Sequence, residues 1–364
     1  MATPARVVVV PKDPGPLEIH DLSLPDPGPH HVVVKQYASG ICHSQLHQMH
    51  RPRQSPVVLG HESTGVVLKV GSEVSDLAEG DTVMLTWVPK DAVNANHITE
   101  AVTLDLGTAG TAVSQNVFTW ATHTIADEDY VVKVPADTTR DVTSIIGCAV
   151  MTGAGAVEYT AAVSKGESVA VIGVGGVGIS AIVAARKIGA DPIIAVDLSN
   201  DKLEFARKFG ATHTINASDK DPIAAIHELT TRKNAWSRRP VAGADFVFDC
   251  IGIKKTMEQI VPAARSGHFG VERGGTAVLV GVPTTSVELN PGDILMNEKR
   301  FIGSIGGSCS PGRDFPKYLD WYNSGDLDLD ALVTERFGID QINEATTRLK
   351  QGDIFGRAIL EFED

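Results

Sequence analysis

The stretch Val169-Ala-Val-Ile-Gly-Val-Gly-Gly-Val-Gly-Ile-Ser-Ala-Ile limits the possible folds more than any other part of the chain. It sets Gly173, Gly175 and Gly178 in the order G-x-G-x-x-G directly after an apolar run. That order predicts a strand, a tight turn and the start of a helix. The first glycine permits the turn, the second lets the backbone approach a pyrophosphate, and the third lets helix and strand pack closely. Gly176 and Val177 complete the turn, where the free N–H groups of a helix start can meet a phosphate. About 20 residues further on, Asp197 ends a second apolar run, Pro192-Ile-Ile-Ala-Val. A carboxylate so placed accepts ribose hydroxyls and repels a 2′-phosphate, so the expected dinucleotide is NAD and not NADP.

At 364 residues the chain is long enough for two domains. Residues 1–150 read as mostly β. Arg6–Val10, Val32–Tyr37, Thr64–Val70 and Thr82–Leu85 are short β-branched runs, and connections such as Pro25-Asp-Pro-Gly-Pro exclude helix there. Strand and helix alternate from about Val157: Val169–Ile172, Val177–Ile188, Ile193–Val196, Asn200–Phe209, Phe246–Asp249 and Ala277–Val280 predict a parallel, doubly wound sheet. Segment 88–116 shows no clear period, and after residue 306 the chain is again mixed. The net charge of −13 argues against nucleic acid and anionic membranes as partners. Four scattered cysteines give no disulfide framework, and the first residues do not read as a signal peptide, so a cytoplasmic protein is expected.

Gly40-Ile-Cys42-His43-Ser44, Gly60-His61-Glu62 and Gly147-Cys148 place one histidine and two cysteines beside glycines. Those donors suit a catalytic zinc with one position left open. Taken singly each has a plainer reading, Cys148 as small core filler and His61 as a satisfied histidine.

These motifs, with Ser63-Thr64-Gly65-Val66, Gly80-Asp81, Ala149-Val150-Met151-Thr152-Gly153, Gly173–Gly178, Asp197 and Val280-Gly281-Val282-Pro283, span the chain. It resembles the zinc-dependent alcohol dehydrogenases of the medium-chain dehydrogenase/reductase superfamily. The resemblance implies an α/β fold: a GroES-like, mostly-β catalytic domain from residues 1–150 and 306–364 around a Rossmann domain over 151–305. It implies that Cys42, His61 and Cys148 hold the catalytic zinc with Glu62 close behind, and that Ser44 and then His47 carry the alcohol proton away. It further implies His43, Thr152, Val177, Lys202, Val280 and Arg357 as cofactor contacts: His43 and Arg357 at the pyrophosphate, Thr152 and Val177 at the nicotinamide, Lys202 beside Asp197 at the ribose. Trp87, with Trp120 as a second wall, falls where the substrate pocket is expected. The partners implied are a small alcohol or aldehyde and further copies of the chain, as a homodimer or homotetramer.

Two positions depart from the family. Many members carry a second, structural zinc on four closely spaced cysteines, but residues 82–147 contain no cysteine. His97 and His123 do not supply a four-ligand site, so one zinc per subunit is expected. Gln45 stands where relatives usually have an aspartate that orients the zinc-bound histidine, and such outer changes typically cost about 10–100-fold in affinity or activity. The expected activity is NAD-dependent oxidation of a primary or secondary alcohol, allylic or aromatic in view of the tryptophans, or the reverse reduction. Alternatives are a thiol-dependent formaldehyde dehydrogenase, suggested by Val83-Met-Leu-Thr-Trp, and a nicotinoprotein that retains its NAD. A non-enzymatic dinucleotide-binding protein is disfavoured by the complete ligand set.

Overall fold

The computed structural model describes residues 3–93, 97–114, 116–233 and 240–363. The chain divides into two compact units, one of Met1–Cys148 with Ser310–Asp364 and one of Ala149–Cys309.

The central unit is built on a parallel sheet. Its strands lie in the order His213–Asn216, Ile193–Asp197, Val169–Ile172, Phe246–Asp249, Thr276–Leu279, Arg300–Gly303. The strands Val169–Ile172 and Phe246–Asp249 are buried throughout, as strands covered on both faces must be. This is the doubly wound order, with the change of direction between those same two strands. Helix Gly176–Ile188 follows the glycine-rich turn. Gly173 there has φ +90°, and a Cβ on Gly178 would lie 1.9 Å from the Gly173 carbonyl oxygen, so that position admits only glycine. Helix Asn200–Phe209 is capped by the Ser199 hydroxyl and closed by Gly210. The edge strands His213–Asn216 and Arg300–Gly303 are additions the sequence pattern did not reveal.

The split unit carries two sheets among the described residues. In the larger one the long strand His31–Ile41 pairs antiparallel with Ser63–Val70, His123–Asp127 and Arg357–Glu361. The register sets Ile41 opposite Ala358 and Ser39 opposite Ser63. The ends of three strands distant in sequence therefore meet beside Cys42.

Segment 88–116, unassigned from its pattern, holds a short hairpin of Val102–Asp105 and Thr111–Ser114, attached to the smaller sheet where Val57 pairs with Val113. Residues 94–96 lie outside the described ones. No helix among the described residues is long and apolar enough to cross a membrane.

Candidate metal centre and dinucleotide turn

Cys42 closes the long strand and caps the helix His43–Met49. His61 lies just before the strand Ser63–Val70, and Cys148 follows the turn Val142–Gly147. Their donor atoms all lie within 4.8 Å of one another; Cys42 and Cys148 are buried, and His61 is partly buried. The two sulfurs are 3.9 Å apart and not joined in a disulfide. His61 Nε2 is buried with no hydrogen-bond partner. Two close thiols and an orphaned imidazole nitrogen are costly without a cation between them. The set fits zinc, with Cys2His ligation and a position to spare.

The thiols titrate as a pair. A hydrogen bond from Cys148, aided by the charge of Arg357, holds Cys42 well below the usual thiol range; the same bond and burial push Cys148 well above it.

Glycines shape this site by what they leave out. A Cβ on Gly40 would sit 2.2 Å from a Glu62 carboxylate oxygen, and one on Gly147 would meet the Leu85 carbonyl oxygen at 2.4 Å. Gly60, at φ +102°, would drive a Cβ to 2.3 Å from the Trp120 amide nitrogen. These positions let the segments bearing Cys42, His61 and Cys148 pass close around Glu62.

Glu62 is fully buried, and its carboxylate accepts from Arg357 Nη2. Burial raises its pKa while the guanidinium opposes the shift. Arg357 is itself 6 % exposed, with Nε buried and unpartnered. The sequence points to each residue separately and not to their pairing.

Ser44 Oγ lies 3.3 Å from Cys42 Sγ. His47 is one turn along the same helix and half-buried, so the two share a face. His43 is exposed. Gln45 turns its carbonyl to the backbone N–H of Cys42 at 2.8 Å, and its Nε2 is buried without a partner. Trp87 meets His61 edge to face, with ring centroids 6.3 Å apart, and its Nε1 is also unpartnered. Trp120 differs from expectation. It is fully buried in a core cluster with Val8, Ile41, Ala358 and Leu360, and its indole N–H donates to the Gly40 carbonyl. Its large ring fills the core and is no pocket wall.

In the central unit Gly173, Asp197 and Val280 sit at or just past the carboxyl ends of parallel strands, the customary ligand edge of such sheets. Space beyond a Cβ at Gly175 is open, and the helix it starts has no side-chain cap. These features fit a dinucleotide pyrophosphate. The Asp197 carboxylate accepts from the N–H groups of Val174, Leu198 and Ser199, which fixes its orientation. The Lys202 backbone N–H bonds to the Ser199 hydroxyl. Thr152, on helix Ala149–Gly155, is buried with its hydroxyl unpartnered.

Comparison with known proteins agrees with this geometry. Residues 28–136 match the alcohol dehydrogenase GroES-like domain, and residues 176–324 match the zinc-binding dehydrogenase family. The chain is 30% identical to alcohol dehydrogenase class-3 of Cereibacter sphaeroides, over 95% of this chain and 96% of that one. It is likewise 30% identical to S-(hydroxymethyl)glutathione dehydrogenase of Paracoccus denitrificans over the same shares. The crystal structure of benzyl alcohol dehydrogenase from Acinetobacter calcoaceticus superposes with a TM-score of 0.84 at 28% identity, covering 99% of this chain and 100% of that one. The fold is thus α/β, a GroES-like domain with a Rossmann-like parallel sheet, and the chain belongs to the zinc-type alcohol dehydrogenases of the medium-chain dehydrogenase/reductase superfamily.

Proposed function

We propose that this protein oxidises a primary or secondary alcohol, allylic or aromatic, to its carbonyl with NAD, and catalyses the reverse reduction. One observation carries the reading: Cys42, His61 and Cys148 converge within 4.8 Å with an imidazole nitrogen left without a partner. Those three residues would hold zinc. When bound, zinc contributes Lewis acidity that lowers an alcohol's pKa toward neutrality, and NAD contributes the ring that accepts hydride.

The chain's own residues do the rest. Ser44 takes the hydroxyl proton through Oγ, and His47, one turn along the same helix face, delivers it to solvent. Trp87 offers a flat apolar ring beside His61, which favours planar substrates. The N–H groups at Gly176–Gly178 bind pyrophosphate, and Asp197 with Lys202 holds the adenosine ribose. Thr152, Val177 and Val280 orient the nicotinamide, with His43 and Arg357 at the phosphates.

Support for the planar-substrate reading comes from the likeness to a benzyl alcohol dehydrogenase. The S-(hydroxymethyl)glutathione dehydrogenase relative favours a second reading, oxidation of a thiol–formaldehyde adduct. NADH formation across primary, secondary, allylic and benzylic alcohols, each with and without added thiol, separates the two. Turnover of benzylic or allylic alcohols without thiol is expected; turnover restricted to formaldehyde plus thiol would replace it with the second reading.

Asp197→Ala tests the cofactor. Charge-assisted hydrogen bonds contribute about 1.5–3 kcal/mol, so the preference of kcat/KM for NAD over NADP is expected to fall about 10–100-fold. An unchanged preference places ribose recognition elsewhere.

A further inference from the structure

A second group of metal-type donors lies in the split unit, apart from Cys42, His61 and Cys148. The sheet register that pairs His31 with Asp127 brings His30 beside Glu128, whose backbone N–H donates to the His30 carbonyl at 2.9 Å. Asp127 ends its strand and caps the short turn Glu128–Tyr130. His97 enters from the segment that leads into the hairpin. Its ring stacks on that of His30, with centroids 3.9 Å apart and planes 8° from parallel.

His97 Nε2 is 2.9 Å from one Asp127 carboxylate oxygen, 3.0 Å from the other and 3.9 Å from Asp129 Oδ2. His30 Nδ1 is 3.0 Å from Glu128 Oε1. Two overlapping triads result, His30–His97–Glu128 and His97–Asp127–Asp129, each with donor atoms within 4.8 Å of one another. Two ligands bound at about 2.0–2.2 Å to one ion lie roughly 3.0–3.5 Å apart. The Asp127 and Glu128 contacts, at 2.9–3.0 Å, stand at its short end, and the Asp129 contact at 3.9 Å lies just beyond it.

The charges point the same way, and they do so independently of the distances. Among the described residues, every ion pair of Asp127, Glu128 and Asp129 is to a histidine. Lys90 acts on Asp129 only at range, while its ammonium lies 3.8 Å from Asp76. Asp127, Glu128 and Asp129 side chains are 1%, 9% and 14% exposed. Three carboxylates so sheltered need nearby positive charge. The His30 and His97 rings stack face to face at 3.9 Å, an arrangement in which charge on both would be repulsive. A divalent cation bound by neutral imidazoles balances the carboxylates and removes that repulsion.

We propose that His30, His97 and Asp127, with Glu128 or Asp129 completing the shell, form a second divalent-cation site, of the nitrogen–oxygen type that takes zinc. The expectation of one metal per chain rested on the absent cysteines, and this site uses none. Its place, where the hairpin-bearing segment meets the large sheet, makes it a structural clamp.

The test is a count of tightly held metal. Wild-type protein, His97→Gln, and Cys42→Ser/Cys148→Ser are incubated with zinc, freed of loose ions by gel filtration, and assayed for zinc per chain. Two ions are expected in the wild type and one in each variant. Zinc-free Cys42→Ser/Cys148→Ser protein, titrated with cobalt(II), should show d–d absorption without a thiolate charge-transfer band. Its melting temperature should rise with zinc. Equal zinc in wild type and His97→Gln, or no metal in Cys42→Ser/Cys148→Ser, overturns the proposal. If His97→Gln does not fold, the half-exposed His30→Ala takes its place, and the cobalt spectrum is unaffected. Failure here leaves the reading of Cys42, His61 and Cys148 intact, because the cysteine variant counts that site separately.

Discussion

Cys42→Ser is expected to lower alcohol oxidation by about 10³-fold or more, with NAD binding changed by no more than a few-fold. The argument begins with donor count. A catalytic zinc uses three protein ligands, and the variant leaves only His61 and Cys148. Serine brings a neutral, hard oxygen in place of a thiolate. Lewis-acid polarisation supplies several kcal/mol of transition-state stabilisation, and each 1.36 kcal/mol is tenfold in rate. NAD binding is spared because Gly173–Gly178 and Asp197 belong to the other compact unit. Three measurements decide the matter: kcat, zinc per chain, and NAD affinity from fluorescence titration. A variant that keeps a tenth of wild-type turnover would remove the metal from the mechanism. His61→Ala should behave alike, since it leaves two sulfurs and no imidazole.

The sequence made the central unit readable because its signals are local. A glycine-rich turn, an apolar run before it and a capped helix after it act within a few residues, so strand, turn and helix could be placed almost to the residue. The edge strands His213–Asn216 and Arg300–Gly303 escaped notice because each is short and only partly buried. The split unit is different. Its site depends on pairing Ile41 with Ala358 and Ser39 with Ser63, contacts that no periodicity encodes. Trp120 looked like a pocket residue by type alone; only the fold shows its indole enclosed and bonded to Gly40. As motif letters Gly40 and Gly147 carry no sign that their work is to leave room for Glu62. His97 read as an isolated histidine because His30 and Asp127 approach it only through the sheet.

The Glu62–Arg357 pair gives the largest expected effect on stability. The residues stand 295 positions apart and meet because Arg357 opens the strand that pairs with Gly40 and Ile41. Side-chain exposure is 0% for Glu62 and 7% for Arg357, so neither charge has water to fall back on. Breaking a buried pair by removing one partner typically costs about 3–5 kcal/mol, because an uncompensated charge remains. Arg357→Met keeps much of the side-chain volume and strands the Glu62 carboxylate, so a loss of that size is expected. For a unit of this size each kcal/mol moves Tm by about 2–4 °C, which makes the drop plain in a thermal melt followed by circular dichroism. Replacing both residues, as Glu62→Gln with Arg357→Met, should recover most of it, since no buried charge is left alone. That recovery is the decisive comparison. If the double variant is as unstable as Arg357→Met, the loss comes from packing and the ion pair is not what holds the strand ends together; if it recovers, the pair is a matched unit whose halves cannot be exchanged singly.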